Sequence, residues 1–304
     1  MKKNILTLLA VACMAFTTSA QNMSHINNFM INQLYYSPAA AGMHETQVNV
    51  SLLGRIQWAS VEGAPKTAIL WTDYRTPSQN MALGLLMNTY QYAGFRSNDI
   101  HANYAYLLNL NRKIKLSMGL RAGLSSIESS TSRYRIWDEN DPMRDRSSFS
   151  GTLPKFGTGF QLNAKKFYAG FSLPDFIIVD SRKLLEDSAK FFSRERNYVL
   201  MAGNSIRLND LYTLKPNAAF FYHKDVGTLL KLNALFEIKN YFWAGLTYGT
   251  NQSLALLAGS FISSRIRFTY SYDFLIGIRN AGGLIGAHEI GLIVKLDNLT
   301  RKKE

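Results

Sequence analysis

The residue pair nearest to a catalytic pattern is His288-Glu289. In a His-Glu-x-x-His helix, two histidines four positions apart hold zinc and the glutamate serves as general base. Position 292 is Leu292, so the second ligand is missing and zinc hydrolysis is not supported. His25, His44, His101, His223 and His288 are scattered without metal-ligand spacing. No Gly-x-Ser-x-Gly elbow, phosphate-binding loop or dinucleotide fingerprint occurs. Asp138-Glu139-Asn140-Asp141 bunches oxygen atoms that could hold calcium, but it lacks the glycine and terminal glutamate of the twelve-residue calcium loop. A solvated acidic loop is the plainer reading. Cys13 is the only cysteine, which excludes a disulfide framework and a cysteine-ligated zinc site. These residues point away from an enzyme and call for no metal or cofactor.

The charge has to be placed elsewhere. The 304 residues carry a formal net charge of +13, yet only 18% are charged and 47% are hydrophobic. That apolar share excludes intrinsic disorder. The basic residues are spread over the chain, including Arg112-Lys113, Lys165-Lys166 and Arg301-Lys302-Lys303, with no patch carrying a groove-reading motif. Nucleic acid is therefore not an expected partner. Anionic lipid head groups or an acidic protein partner account better for the charge.

Lys2 and Lys3 precede an apolar run from Ile5 to Phe16, and Thr18 and Ala20 stand at the minus-three and minus-one positions before Gln21. This is the layout of a secretory signal peptide over 1–20, cleaved between Ala20 and Gln21. Lipoprotein processing at Cys13, after Ala10-Val11-Ala12, is the alternative, though its apolar region would be very short. Cleavage at Ala20 would leave 304 − 20 = 284 residues and a net charge of 13 − 2 = +11.

Beyond the signal the dominant pattern has period two. Ile266, Phe268, Tyr270, Tyr272 and Phe274 alternate with Arg265, Arg267, Thr269, Ser271 and Asp273. Leu116, Met118, Leu120 and Leu124 alternate with Ser117, Gly119, Arg121 and Gly123. Strand side chains point alternately to opposite faces, so each such segment has one apolar face and one polar or glycine face. About fourteen segments follow this rule. They start near Thr46, Ala64, Met81, Phe95, Lys113, Leu153, Lys166, Tyr198, Thr213, Thr228, Tyr241, Ser253, Arg265 and Ile285. The longest uncharged stretch, Tyr241 to Ser264, is divided by the turn sequence Gly249-Thr250-Asn251-Gln252-Ser253 into two strand-length runs. Every second connection is short and polar, whereas Glu128 to Thr152 and Pro174 to Asn197 are long.

Short turns at one rim, longer loops at the other and an even strand count predict an all-β fold: a transmembrane antiparallel β-barrel of about 14 strands, with short periplasmic turns and longer extracellular loops. A soluble β-sandwich also alternates. The faces decide between them, since Arg121, Lys231, Glu237, Arg267 and Lys295 share theirs with small polar residues that suit a wet lumen, while the opposite faces are almost free of charge and suit lipid. The expected organisation is a signal peptide at 1–20, a periplasmic or plug segment at 21–45, the barrel at 46–298 and a basic tail at 299–304. A short helix capped near Asp180-Ser181 is expected from the spacing of Leu184, Leu185, Ser188, Ala189 and Phe192. In a barrel, His101 or His288 could meet a serine from a distant strand, but a polar lumen or rim residue is the simpler assignment.

Several stretches resemble one family. Gln33-Leu34-Tyr35-Tyr36-Ser37-Pro38-Ala39-Ala40-Ala41-Gly42 is similar to an Asn-Pro-Ala-Tyr-Ala-Gly element of the PorP/SprF outer-membrane proteins of type IX secretion in Bacteroidetes, with Ser37 in place of the asparagine and Ala40 in place of the tyrosine. Arg55-Ile56-Gln57-Trp58 and Glu62-Gly63-Ala64-Pro65-Lys66-Thr67 resemble that family's most recognisable stretch. Tyr104-Ala105-Tyr106 and Gly119-Leu120-Arg121-Ala122-Gly123 resemble its middle strands, and Ser271-Tyr272-Asp273 with Gly286-Ala287-His288-Glu289-Ile290 its closing strands. The resemblance implies a non-enzymatic integral outer-membrane protein with both termini in the periplasm. It further implies a role in protein secretion and gliding motility, beside a periplasmic ring lipoprotein complex and in contact with secreted cargo or a surface adhesin.

From the residues alone, Gly63 and Pro65 set a tight bend and Trp58 falls at a strand end, where aromatics often lie at the membrane interface. Arg55, Gln57, Trp58, Gly63, Ala64, Pro65 and Thr67 are accordingly the candidate partner-contact or rim motif. The competing function is an outer-membrane barrel transporter for a small or hydrophobic substrate, with Gln21 to Met43 as its plug.

Overall fold

The computed structural model describes residues 26–44, 46–78, 80–130, 148–176, 197–224, 226–239, 241–276 and 286–296. The signal peptide, the acidic stretch at 138–141, the helix expected at 184–192 and the basic tail lie outside the described residues.

Fifteen antiparallel strands form one sheet. In chain order they are β1 (Val48–Gln57), β2 (Lys66–Arg75), β3 (Met81–Tyr92), β4 (Phe95–Asn109), β5 (Ile114–Ser130), β6 (Ser148–Ala164), β7 (Phe167–Phe176) and β8 (Asn197–Asn204). There follow β9 (Ile206–Arg207), β10 (Tyr212–His223), β11 (Gly227–Ile238), β12 (Phe242–Gly249), β13 (Ser253–Phe261), β14 (Ile266–Leu275) and β15 (Gly286–Leu296). Each strand pairs with its chain neighbour except around the two-residue β9, where β8 pairs directly with β10. The sheet closes through β1 and β15, with Val48 opposite Leu296 and Gln57 opposite Ala287. The result is a closed barrel of fourteen strands plus one short extra strand. Closure settles the choice against a sandwich, because it leaves no sheet edge unpaired.

Alternation sets the two faces. Leu52, Leu83, Leu120, Phe160, Leu246 and Ile290 stand on the outside, with Leu120 62% exposed. Such an apolar band on a charged, wet surface would be costly, and lipid is its natural solvent. Tyrosine and phenylalanine gather toward the ends of the band. Tyr92 and Phe95 lie 5.0 Å apart at one rim, and Tyr212 and Phe236 lie 5.3 Å apart toward the other. Amphipathic rings commonly take this interfacial position.

The inside is not the uniformly wet lumen that the polar faces suggest. Residues 26–44 lie within it, as a turn followed by helix α1 (Gln33–Tyr36) and a 3-10 turn at Pro38–Ala40. Ile26, Phe29, Leu34 and Tyr36 pack against Leu53, Trp71, Leu86, Val199 and Phe221 of the wall in one apolar cluster. This inner segment starts level with Lys231 and Glu289, in the half of the barrel nearer the longer connections. It ends beside Asp73, near the rim of the short turns.

Candidate functional site

The strands bring distant polar residues together around the inner segment. At its start, Glu289 of β15 is fully buried. Its carboxylate accepts the Asn27 N–H at 2.9 Å, the Asn28 N–H at 3.0 Å and the Asn28 side-chain amide at 2.6 Å. Arg55 of β1 donates to Glu289 at 3.5 Å and to Asp273 of β14 at 2.9 Å. Lys231 of β11 donates to the Ile26 carbonyl at 3.2 Å and to Asn27 Oδ1 at 3.1 Å. Two cations and two carboxylates thus share one buried cluster, and such pairing is what lets buried charges be tolerated, although Arg55 Nε and Asp273 Oδ1 have no hydrogen-bond partner among the described residues.

Lower down, Arg121 of β5 forms a collar. Its Nε donates to Asn103 Oδ1 at 2.7 Å, one Nη donates to the Tyr35 carbonyl at 3.2 Å, and the other donates to the Leu34 carbonyl. The Ser172 hydroxyl donates to the Tyr36 carbonyl at 2.8 Å, and the Ser117 hydroxyl to the Ala39 carbonyl at 2.6 Å. Carbonyls left over by so short a helix are in this way satisfied by the wall. Gly119 lets the 3-10 turn approach, because a Cβ there would lie 2.2 Å from Ala39 N and 2.4 Å from Pro38 C. At the lower end the Gly42 N–H donates to Asp73 at 2.7 Å, with φ of +68° suiting glycine. His44 stacks on Trp71 with centroids 5.5 Å apart, and burial holds its pKa below the ordinary histidine range.

The 55–67 stretch divides between two places. Arg55 and Thr67 are buried, point inward and sit opposite each other in the β1–β2 register. Gln57, Trp58, Gly63, Ala64 and Pro65 form the bend at the rim opposite the short turns. There the Gln57 N–H donates to the Pro65 carbonyl at 2.9 Å and the Trp58 N–H to the Gly286 carbonyl at 2.7 Å. Trp58 has φ of +54°, a left-handed conformation that costs a bulky residue about 1–3 kcal/mol. Its indole Nε1 is buried with no hydrogen-bond partner among the described residues.

The histidines are kept apart. His288 faces outward and bonds the Tyr270 hydroxyl at 2.9 Å, whereas its neighbour Glu289 faces the lumen, so the pair cannot share a site. His101 lies 3.8 Å from Asp175, and no serine is bonded to it among the described residues. Sequence reasoning noted Arg121 and Lys231 only as lumen residues and missed Asp273 as an ion-pair partner. The available signal was a lone charge in a row of small inward side chains, such as Glu289 between Ala287 and Gly291.

The stretches with the family resemblance therefore converge. Pro38 and Ala39 lie against Gly119, while Arg55, Asp273 and Glu289 meet at the top of the inner segment. The sequence model of the type IX secretion system membrane protein PorP/SprF matches residues 18–294. This chain belongs to that family.

As a PorP/SprF protein it is a component of type IX secretion and an integral outer-membrane barrel. No curated protein sequence matches it significantly. Among solved structures it is similar to the CymD monoaromatic hydrocarbon channel, at 12% identity over 92% of this chain and 95% of that one, with a TM-score of 0.48. It is also similar to Omp33 of Acinetobacter baumannii, at 7% identity over 83% and 98% with a TM-score of 0.49. The toluene transporter TodX of P. putida matches at 8% identity over 88% and 94%, again with a TM-score of 0.49.

Proposed function

We propose that this PorP/SprF protein is a plugged, non-enzymatic barrel that couples type IX machinery in the periplasm to cargo or an adhesin at the cell surface. Family membership over residues 18–294 carries this reading. The rim of short turns, where β1 begins and β15 ends, faces the periplasm and meets the ring lipoprotein complex. The opposite rim, with Trp58 at its strained bend, meets the secreted protein. The inner segment keeps the lumen filled, and Glu289, Arg55, Asp273 and Lys231 hold its leading end. Outer-membrane lipid solvates the outward leucines and tyrosines.

A deletion strain tests the assignment. Loss of particular proteins from the medium or the cell surface, with unchanged small-solute uptake, is the expected outcome. An uptake defect with a normal secretome would instead support the transporter. Co-purification of ring lipoproteins with the tagged barrel, abolished by changes in the short turns, tests the periplasmic contact.

A further inference from the structure

Charge divides the two rims of the barrel. The six short connections, at 76–80, 110–113, 165–166, 205–211, 239–241 and 262–265, hold seven lysines and arginines and one acid, a net 7 − 1 = +6 in 25 residues. The seven connections of the opposite rim hold eleven lysines and arginines and ten acids, a net 11 − 10 = +1 in 63 residues. The one short-turn acid, Asp210, is already paired with Arg207 at 2.5 Å. Arg112, Lys113, Lys165, Lys166, Lys239 and Arg265 are exposed, and none has an ion-pair partner among the described residues. Large apolar side chains stand beside these charges. Leu110, Leu208, Leu211, Tyr241 and Ile262 are 51–67% exposed, each in a connection that also carries a cation.

Cations gathered on one rim repel one another, and exposed apolar groups beside them call for a solvent other than water. The boundary of a bilayer accommodates both, since the apolar group enters the acyl region while the long basic side chain reaches the phosphates. The cation-bearing turns occupy five of the six short connections, from the β4–β5 turn round to the β13–β14 turn. Lipid meets a barrel from all sides, whereas a protein seated on one side would need only a patch.

We propose that the short-turn rim is a collar for anionic phospholipid head groups, which gathers acidic lipid into the leaflet it faces. A lysine or arginine near an anionic surface contributes about 1 kcal/mol, or about fivefold in local affinity. The collar works whichever compartment the short turns face, and it does not depend on the proposed secretion role.

The test uses the full chain in phosphatidylcholine vesicles, comparing spin-labelled phosphatidylglycerol with spin-labelled phosphatidylcholine for the fraction held at the protein surface. Phosphatidylglycerol should associate about two- to fivefold more strongly, because only one leaflet meets the collar, and about 1 M salt should bring the ratio near one. Lys165→Gln, Lys166→Gln, Lys239→Gln and Arg265→Gln combined should remove most of the preference. Lys66→Gln with Arg96→Gln, at the opposite rim, should leave it intact. If the combined variant does not fold, the salt dependence of the wild-type ratio decides. A ratio near one at low salt, a preference that survives high salt, or equal losses from the two rims would overturn the proposal. Capture of an acidic protein by the same turns, without any lipid preference, would give the rim to a protein partner instead.

Discussion

Replacing Glu289 with alanine removes an acceptor that holds the Asn27 and Asn28 N–H groups at 2.9 and 3.0 Å. Arg55 keeps Asp273 at 2.9 Å, so its charge is not wholly orphaned. The loss is then two buried backbone donors at about 1–3 kcal/mol each, together with part of a buried ion pair, or roughly 3–5 kcal/mol against the closed position of residues 26–28. At about 1.4 kcal/mol per decade, local opening becomes a hundred to a few thousand times more frequent. Amide hydrogen exchange followed by mass spectrometry on the barrel in nanodiscs reads this directly. Peptides covering residues 26–34 should exchange faster by that factor, while those from β4 and β5 stay protected. Glu289→Gln retains one accepting oxygen and should fall between wild type and Glu289→Ala. Exchange at 26–34 unchanged in Glu289→Ala would refute the idea that this carboxylate secures the inner segment.

Other outcomes follow from the same geometry. Gly119→Ala places a methyl 2.2 Å from the Ala39 nitrogen and should cost about 1–3 kcal/mol of overpacking, seen as a lower unfolding midpoint in denaturant. Gly54→Ala has nothing within 4 Å of its new Cβ and should leave that midpoint unchanged. Leu120→Arg on the lipid face should destabilise the inserted barrel by about 2–4 kcal/mol if that position lies near the bilayer midplane, measured by reversible unfolding from lipid vesicles. Trp58→Ala should leave the barrel inserted and heat-modifiable while reducing secretion or partner capture, whereas loss of insertion would assign Trp58 to rim packing.

The barrel wall was largely legible because period-two alternation records which face is wet and which is greasy, and the fourteen expected strand starts lie close to the observed ones. The largest displacement is β6, expected near Leu153 and observed from Ser148. Its first five residues hold one apolar side chain, Phe149, among Ser148, Ser150, Gly151 and Thr152, too few to show alternation, and the extension is recorded only in backbone pairing with β5, where Ser130 stands opposite Ser148. The two-residue β9 left no pattern at all. The interior was less legible for a physical reason. Alternation says that Leu53 and Arg55 point inward, but not that Leu53 meets an apolar inner segment while Arg55 meets carboxylates 218 and 234 positions away. Gly119 was readable as an interior strand glycine, the usual mark of close backbone approach, but not for what approaches it.

Cysteine accessibility in intact outer membranes tests the arrangement most directly, since Cys13 is the only native cysteine and lies within the expected signal peptide. Ser37→Cys on the inner segment, Leu120→Cys on the apolar outer face and Ser264→Cys in an exposed turn would each be challenged with a water-soluble and a lipid-soluble maleimide. The fold requires the thiol of Ser264→Cys to react with the soluble reagent and that of Leu120→Cys only with the lipid-soluble one. The thiol of Ser37→Cys should react with neither until the barrel is unfolded. Rapid labelling of Ser37→Cys and Leu120→Cys by the water-soluble reagent in the native membrane would contradict a filled barrel seated in lipid.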